Sequence, residues 1–284
     1  MATEATVYHA GWTLDDVRWE HFDASKVEPD LLAAVKAASV VEFAAPDYVV
    51  YLKRVFAGDG PEVMASLEKW GREETQHGEA LGRWAALADP SYDFHAAFER
   101  FKIGYRAQHF DSDEVVSVRG SRRGEMIARC VVECGTSSYY SALRDATDEP
   151  LLKEICGRIA ADEFRHYKLF FDTLHQQAEP DLPLWKKLKV AISRAVESDD
   201  DELAYAYYAA NIPPDVPYDR AKYAAAYTGA AMIHYQPHHV KKLVQMVAKA
   251  CGANPQGRVT AMAGTLAWHV MHRRAERSLL RAAA

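Results

Sequence analysis

Two stretches of the chain set a glutamate and a histidine three residues apart: Glu74-Thr-Gln-His77 and Glu163-Phe-Arg-His166. Residues three apart share a helix face, so each pair can aim a carboxylate and an imidazole at one point. That pair of groups suits a divalent cation. A chain with 12 histidines would show roughly one such motif by chance, and this one shows two. A further glutamate precedes each motif: Glu42 lies 32 residues before Glu74, and Glu133 lies 30 residues before Glu163. The order is a helix with Glu, then a helix with Glu-x-x-His, twice over.

The elements that must carry these residues read as amphipathic helices. In the second, positions at spacings of three and four are Val63, Leu67, Trp70, Glu74, His77, Leu81 and Trp84. In the fourth they are Leu152, Ile155, Ile159, Glu163, His166, Phe170 and Leu174. The third gives Met126, Cys130, Glu133, Ser137 and Tyr140, and the first gives Leu32, Val35, Ser39, Glu42, Pro46 and Val49. Each apolar stripe is interrupted by an acid. A buried carboxylate without a partner costs several kcal/mol, so four of them call for cations among them. One Glu from each of two helices, plus Glu-x-x-His from each of two others, is the ligand set of di-iron and di-manganese bundles. Oxygen donors with some nitrogen and no thiolate favour two Fe ions, with manganese or a mixed Fe/Mn pair open.

The periodicity predicts helices over 28–56, 61–88, 122–146 and 150–177, with Pro61 at a first helical position. Pro46 removes the hydrogen bond to the carbonyl of residue 42, which predicts a kink at Glu42. Residues 89–121 read as a short helix plus loops, with Val115–Val118 a minimal strand candidate. Three more helical stretches, 184–210, 219–250 and 256–281, follow. The chain thus divides into a lead-in (1–28), a bundle core (29–178) and additional helices packing on the same domain (179–284).

The 284 residues, 49% hydrophobic and 26% charged with net charge −6, describe a globular chain without the basic face that nucleic-acid binding needs. No apolar run is long enough to span a membrane, and the first residues lack a signal-peptide pattern. Cys130, Cys134, Cys156 and Cys251 form no C-x-x-C pair and read as reduced thiols of a cytoplasmic protein. His234, His238 and His239 cluster, but no carboxylate lies at ligand spacing, so no second metal site is expected there.

At the four motifs the sequence resembles the soluble acyl-acyl-carrier-protein desaturases of the ferritin-like superfamily. WGREETQHGEAL compares with the family's W-x-x-E-E-x-R-H-G, and ICGRIAADEFRHYKLF with I-C-G-x-I-A-A-D-E-x-R-H-E. EFAAPDYVVYL is similar to E-E-A-x-P-x-Y, and Glu133-Cys-Gly-Thr136 matches a Glu with Thr three residues on. The resemblance covers roughly 30–178. It departs at Phe43, Gln76 and Tyr167, where the family has Glu, Arg and an acid.

The resemblance implies an all-α, ferritin-like four-helix bundle with additional C-terminal helices. It implies Glu42, Glu74, His77, Glu133, Glu163 and His166 as metal ligands. It gives Thr136 as a hydroxyl near the O₂ site and Asp162 as an acid orienting a ligand histidine. It also implies a homodimeric enzyme that places a cis double bond in an acyl chain carried by acyl carrier protein or CoA, with a ferredoxin-like electron donor. A channel for that chain would be lined by Tyr139, Tyr140, Phe164, Phe170 and Phe171. Lys186-Lys187-Leu188-Lys189, Arg122-Arg123 and Lys241-Lys242 would offer the acidic carrier a basic patch. The same six ligands would also serve a di-iron hydroxylase or N-oxygenase, or a ferroxidase-like protein. A long apolar channel would mark the desaturase, and a short polar one an oxygenase.

Overall fold

The computed structural model describes residues 11–105, 116–197 and 201–282. Among them the regular structure is helical and no strand occurs. The helices are α1 (Pro29–Phe43), α2 (Ala45–Val55), α3 (Pro61–Ala88), α4 (Phe94–Gly104), α5 (Arg122–Ala146) and α6 (Pro150–Gln176). After them come α7 (Leu184–Glu197), α8 (Asp201–Asn211), α9 (Arg220–Met232), α10 (Pro237–Ala250) and α11 (Arg258–Ala282). Residues 116–118 form no strand, and Val115 lies outside the described residues.

Local chemistry sets the helix starts. Proline occupies the first turn of α1, α3, α6 and α10, where its missing N–H leaves no bond unmade. Ser121 accepts from the Gly124 N–H to open α5, and Glu149 accepts from the Leu151 and Leu152 N–H groups to open α6. The expected kink near Glu42 is a full break. Pro46 has no N–H to offer the Glu42 carbonyl, so α1 ends at Phe43 and the Ala44 N–H turns to the Val41 carbonyl. The stretch 219–250 is divided into α9 and α10 at Pro237, and residues 198–200 of the stretch 184–210 lie outside the described residues.

α1 with α2, α3, α5 and α6 form the four-helix core, α1 lying along α3 and α5 along α6. The close approach of α1 and α3 depends on Gly78: a Cβ there would meet the Phe43 nitrogen at 2.6 Å and the Ser39 oxygen at 2.8 Å. Two apolar clusters fill the bundle. One holds Leu31, Val35, Leu81, Trp84, Leu143 and Ile155, and the other Leu52, Leu67, Trp70, Ile127 and Phe170. The interrupted middle of each stripe falls between them.

The chain before α1 is tied to the bundle. Buried Glu149 accepts from the Asp23 N–H and from Trp84 Nε1, while Trp12 and Val17 enter the first apolar cluster. Further helices cover the core: α8 and α9 lie on α1, α7 and α10 on α5, and α11 on α9 and α10. Of these, α7 is inverted. Ala191 faces inward, whereas Leu184, Trp185, Leu188, Ile192 and Val196 are exposed. No described helix is long and apolar enough to cross a membrane.

Candidate metal centre

The six residues named from the sequence converge between the two apolar clusters, and none is more than 9% exposed. They form two groups, in each of which one donor atom per residue lies within 4.8 Å of the others. The first is Glu42, Glu74, His77 and Glu163; the second is Glu74, Glu133, Glu163 and His166. Glu74 and Glu163 belong to both. The repeat therefore appears in space: each half supplies a Glu and a Glu-x-x-His, and each motif lends its Glu to the other half.

Both imidazoles point Nδ1 at the carboxylates. His77 Nδ1 is 3.1 Å from Glu163 Oε1 and 3.7 Å from Glu74 Oε2. His166 Nδ1 is 2.9 Å from Glu74 Oε1 and 3.7 Å from Glu133 Oε2. The far ring nitrogens have their own acids. His77 Nε2 lies 3.1 Å from Asp162 Oδ2, and His166 Nε2 lies 3.1 Å from Glu73 Oε2. A ring that donates from Nε2 keeps the Nδ1 lone pair for a cation. Asp162 and Glu73 each directly precede a Glu of the two groups, and each backs the histidine of the opposite helix. Sequence reading found Asp162 and missed Glu73. The signal was present in the doublets Glu73-Glu74 and Asp162-Glu163.

Asp162 also accepts from Trp12 Nε1 at 2.5 Å and from Arg165. The Trp12 ring stacks on His77 with centroids 6.0 Å apart. Gln76, one of the departures from the family pattern, donates to the Trp12 carbonyl and so helps hold this strap. Tyr167, another, donates to the Met246 carbonyl and ties α6 to α10. Thr136 donates to Glu163 Oε2, and Tyr140 donates to Glu42 Oε1.

The electrostatics fit a cation-binding site. Glu133 Oε1 and Oε2, Glu163 Oε1, His77 Nδ1 and His166 Nδ1 are buried without a hydrogen-bond partner among the described residues. Where His77 Nδ1 and Glu163 Oε1 come within 3.1 Å, they lack hydrogen-bond direction, as donors aimed at a common third atom would. Burial, reinforced by Glu74, pushes the Glu42 carboxyl well above the usual range, and burial with Glu163 and Glu74 does the same to Glu133. Burial opposes charge on the imidazoles, but the carboxylates outweigh it. Glu163 and Glu74 lift His77 to about 10, and Glu73 and Glu74 lift His166 to about 9. Two divalent cations would balance four carboxylates without those protons.

A cavity of about 90 Å³ borders all four carboxylates and Thr136, and neither imidazole. Its other walls are Val41, Ala45, Tyr48, Trp70, Val132, Arg129, Arg194 and Glu202. None of the five aromatic residues expected to line a channel borders it. Tyr139 and Tyr140 fill one apolar cluster, Phe170 the other with Phe171 against it, and Phe164 is exposed. Phe164 apart, their apolar character serves ordinary packing.

The basic pairs are unequal. Arg122 binds Asp59 and the Val55 carbonyl, and Arg123 binds the Gln177 and Glu179 carbonyls, so both fasten helix ends. Lys187 pairs with Asp181, while Lys186, Lys189 and Lys241 are exposed and Lys242 lies over the Phe164 ring. A carboxylate does join the histidine cluster, contrary to the spacing argument: Asp145 arrives from α5 beside His238 and His239. His239 Nδ1 accepts from the Gln236 N–H, so its Nε2 carries the hydrogen and donates to Asp145. That ring is engaged in capping α10. All four cysteines are buried and unpaired.

No protein-family model matches the chain, and no curated protein is similar enough to it to count as a relative.

Proposed function

We propose that this chain is a two-metal, O₂-dependent oxidoreductase, with an iron pair held by Glu42, Glu74, His77, Glu133, Glu163 and His166. The observation that carries the reading is that two four-residue groups share Glu74 and Glu163, since carboxylates common to two sites are suited to bridge two cations. An iron pair in such a site supplies the two-electron reduction of O₂ and an oxidant strong enough for an unactivated C–H bond.

The chain's own groups prepare that chemistry. Asp162 and Glu73 fix the imidazoles through Nε2. Thr136 sets a hydroxyl at the edge of Glu163, facing the cavity, where it can pass a proton. Trp12 covers His77 against water, and the cavity lies on the side of the four carboxylates.

The family resemblance makes desaturation of an acyl chain on acyl carrier protein or CoA, with a ferredoxin-like donor, one form of this reading. A second form, oxygenation of a smaller polar molecule, is favoured by the charged walls and small volume of the cavity.

Protein purified without chelator should contain two irons per chain by elemental analysis and consume O₂ when reduced. Glu163→Ala should lose both properties. Absence of iron from the wild type, or iron binding indifferent to Glu163→Ala, would overturn the proposal.

A further inference from the structure

We propose that the cavity beside the carboxylates takes a small organic acid whose carboxylate is held by Arg129. The chemistry done on that acid rests on the two-metal reading; its binding does not.

Arg129 stands on α5 one turn before Glu133 and is 5% exposed. Its nearest anion is Glu125, whose Oε1 lies 3.7 Å from Nε, beyond hydrogen-bond reach. The other Glu125 oxygen already accepts from Tyr51 and Ser117. The guanidinium lies 5.1 Å from the centre of the Tyr48 ring, which restricts its plane. Arg129 Nε is buried and has no hydrogen-bond partner among the described residues. Arg194 reaches the same cavity from α7, and its Nε is also buried without one. Two arginines from two helices thus line one cavity, each with its Nε unused among the described residues.

The fork of a guanidinium matches a carboxylate, and its burial is costly until such an acceptor arrives. A hydrocarbon segment in this position would leave those donors unpaired, which speaks against a long acyl chain here. A phosphate would bring nearly two negative charges into a cavity already bordered by five carboxylates, Glu202 among them, where an organic acid brings one. At about 90 Å³ the cavity is far smaller than the roughly 300–1,000 Å³ of sites that enclose drug-sized ligands. Four residues of helix separate Arg129 from Glu133, a rise of about 6 Å.

The test is calorimetry of hexanoate against hexanamide, its uncharged counterpart, on the full chain, both chelator-treated and iron-loaded. Hexanoate should bind about tenfold or more tightly than hexanamide in both forms. Arg129→Gln should bring the two within about twofold while helix content and iron content stay as in the wild type. Arg129→Lys should keep part of the preference, and if Arg129→Gln does not fold, that variant with the chelator-treated wild type decides. No hexanoate binding, equal binding of acid and amide, or a preference that survives Arg129→Gln would overturn the proposal. So would a preference seen only with iron present, which would place the carboxylate on the metal. A chain that prefers hexanoate yet never takes iron would remove the two-metal reading and leave the anchor; two irons without the preference would do the reverse.

Discussion

His77 and His166 occupy equivalent places in an internal repeat, yet they are held differently. Behind His77 stands Asp162, itself buried and fastened by Trp12 and Arg165. Behind His166 stands Glu73, partly exposed and steadied by Lys69 from the surface. The repeat preserves what touches the centre and lets the surroundings diverge. One flank is sealed by the strap before α1, and the other remains at the edge of the solvent. Duplicated ligands therefore need not mean duplicated properties.

The comparison can be broken most severely at the shared carboxylates. Glu74→Ala should abolish both metals, whereas Glu42→Ala and Glu133→Ala should each leave about one per chain, since each belongs to a single group. Elemental analysis checks this; equal losses in all three variants would refute the division into two groups. Next in size, Asp162→Asn should weaken metal affinity about 10–100-fold. Glu73→Gln should weaken it less than about tenfold, because water can reach and replace Glu73. Competition with a coloured chelator measures both, and equal effects would erase the asymmetry.

Metal loading should also expel protons. His77, held at about 10, and His166, held at about 9, carry protons at neutral pH that cations must displace, and burial holds the Glu42 and Glu133 carboxyls well above their ordinary range, so cations compete with protons there too. Affinity should thus rise with pH through the neutral range and fall on acidification. Proton release in weakly buffered titrations checks the sign. Smallest is Trp12→Phe, which keeps the ring but removes the bond to Asp162: stability should drop by about 1–3 kcal/mol in urea unfolding, with two metals retained.

Much of this was legible in the sequence. Apolar periodicity marked α3, α5 and α6 almost to their ends, and the interruptions of those stripes and of the α1 stripe named all six converging residues. Glu73 was overlooked because its doublet was read for one member only. The break at Ala44 was legible as a kink but not as a complete stop. The cavity was not legible at all. Arg129 lies on the shoulder of the α5 stripe and Arg194 on a distant helix, and nothing local says that tertiary packing will turn both toward Glu133. Aromatic residues were expected to line a channel because the resemblance implies an acyl substrate, and aromatic character does not distinguish a wall from a filler. The stretch 184–210 was read as helical, but helicity alone does not say that Leu184, Trp185, Leu188, Ile192 and Val196 of α7 point outward.

Gly78 brings no side-chain donor to the centre, yet it governs how closely the two helices of the first half approach. Its single hydrogen is the shim between the backbones of α1 and α3. A methyl group there would wedge the two rods apart on the side that carries Glu42, withdrawing that carboxylate from Glu74 while leaving α5 and α6 in register. Fidelity of the centre thus resides partly in an atom too small to notice, and attempts to graft the six ligands onto another scaffold would have to reproduce that spacing before copying any side chain.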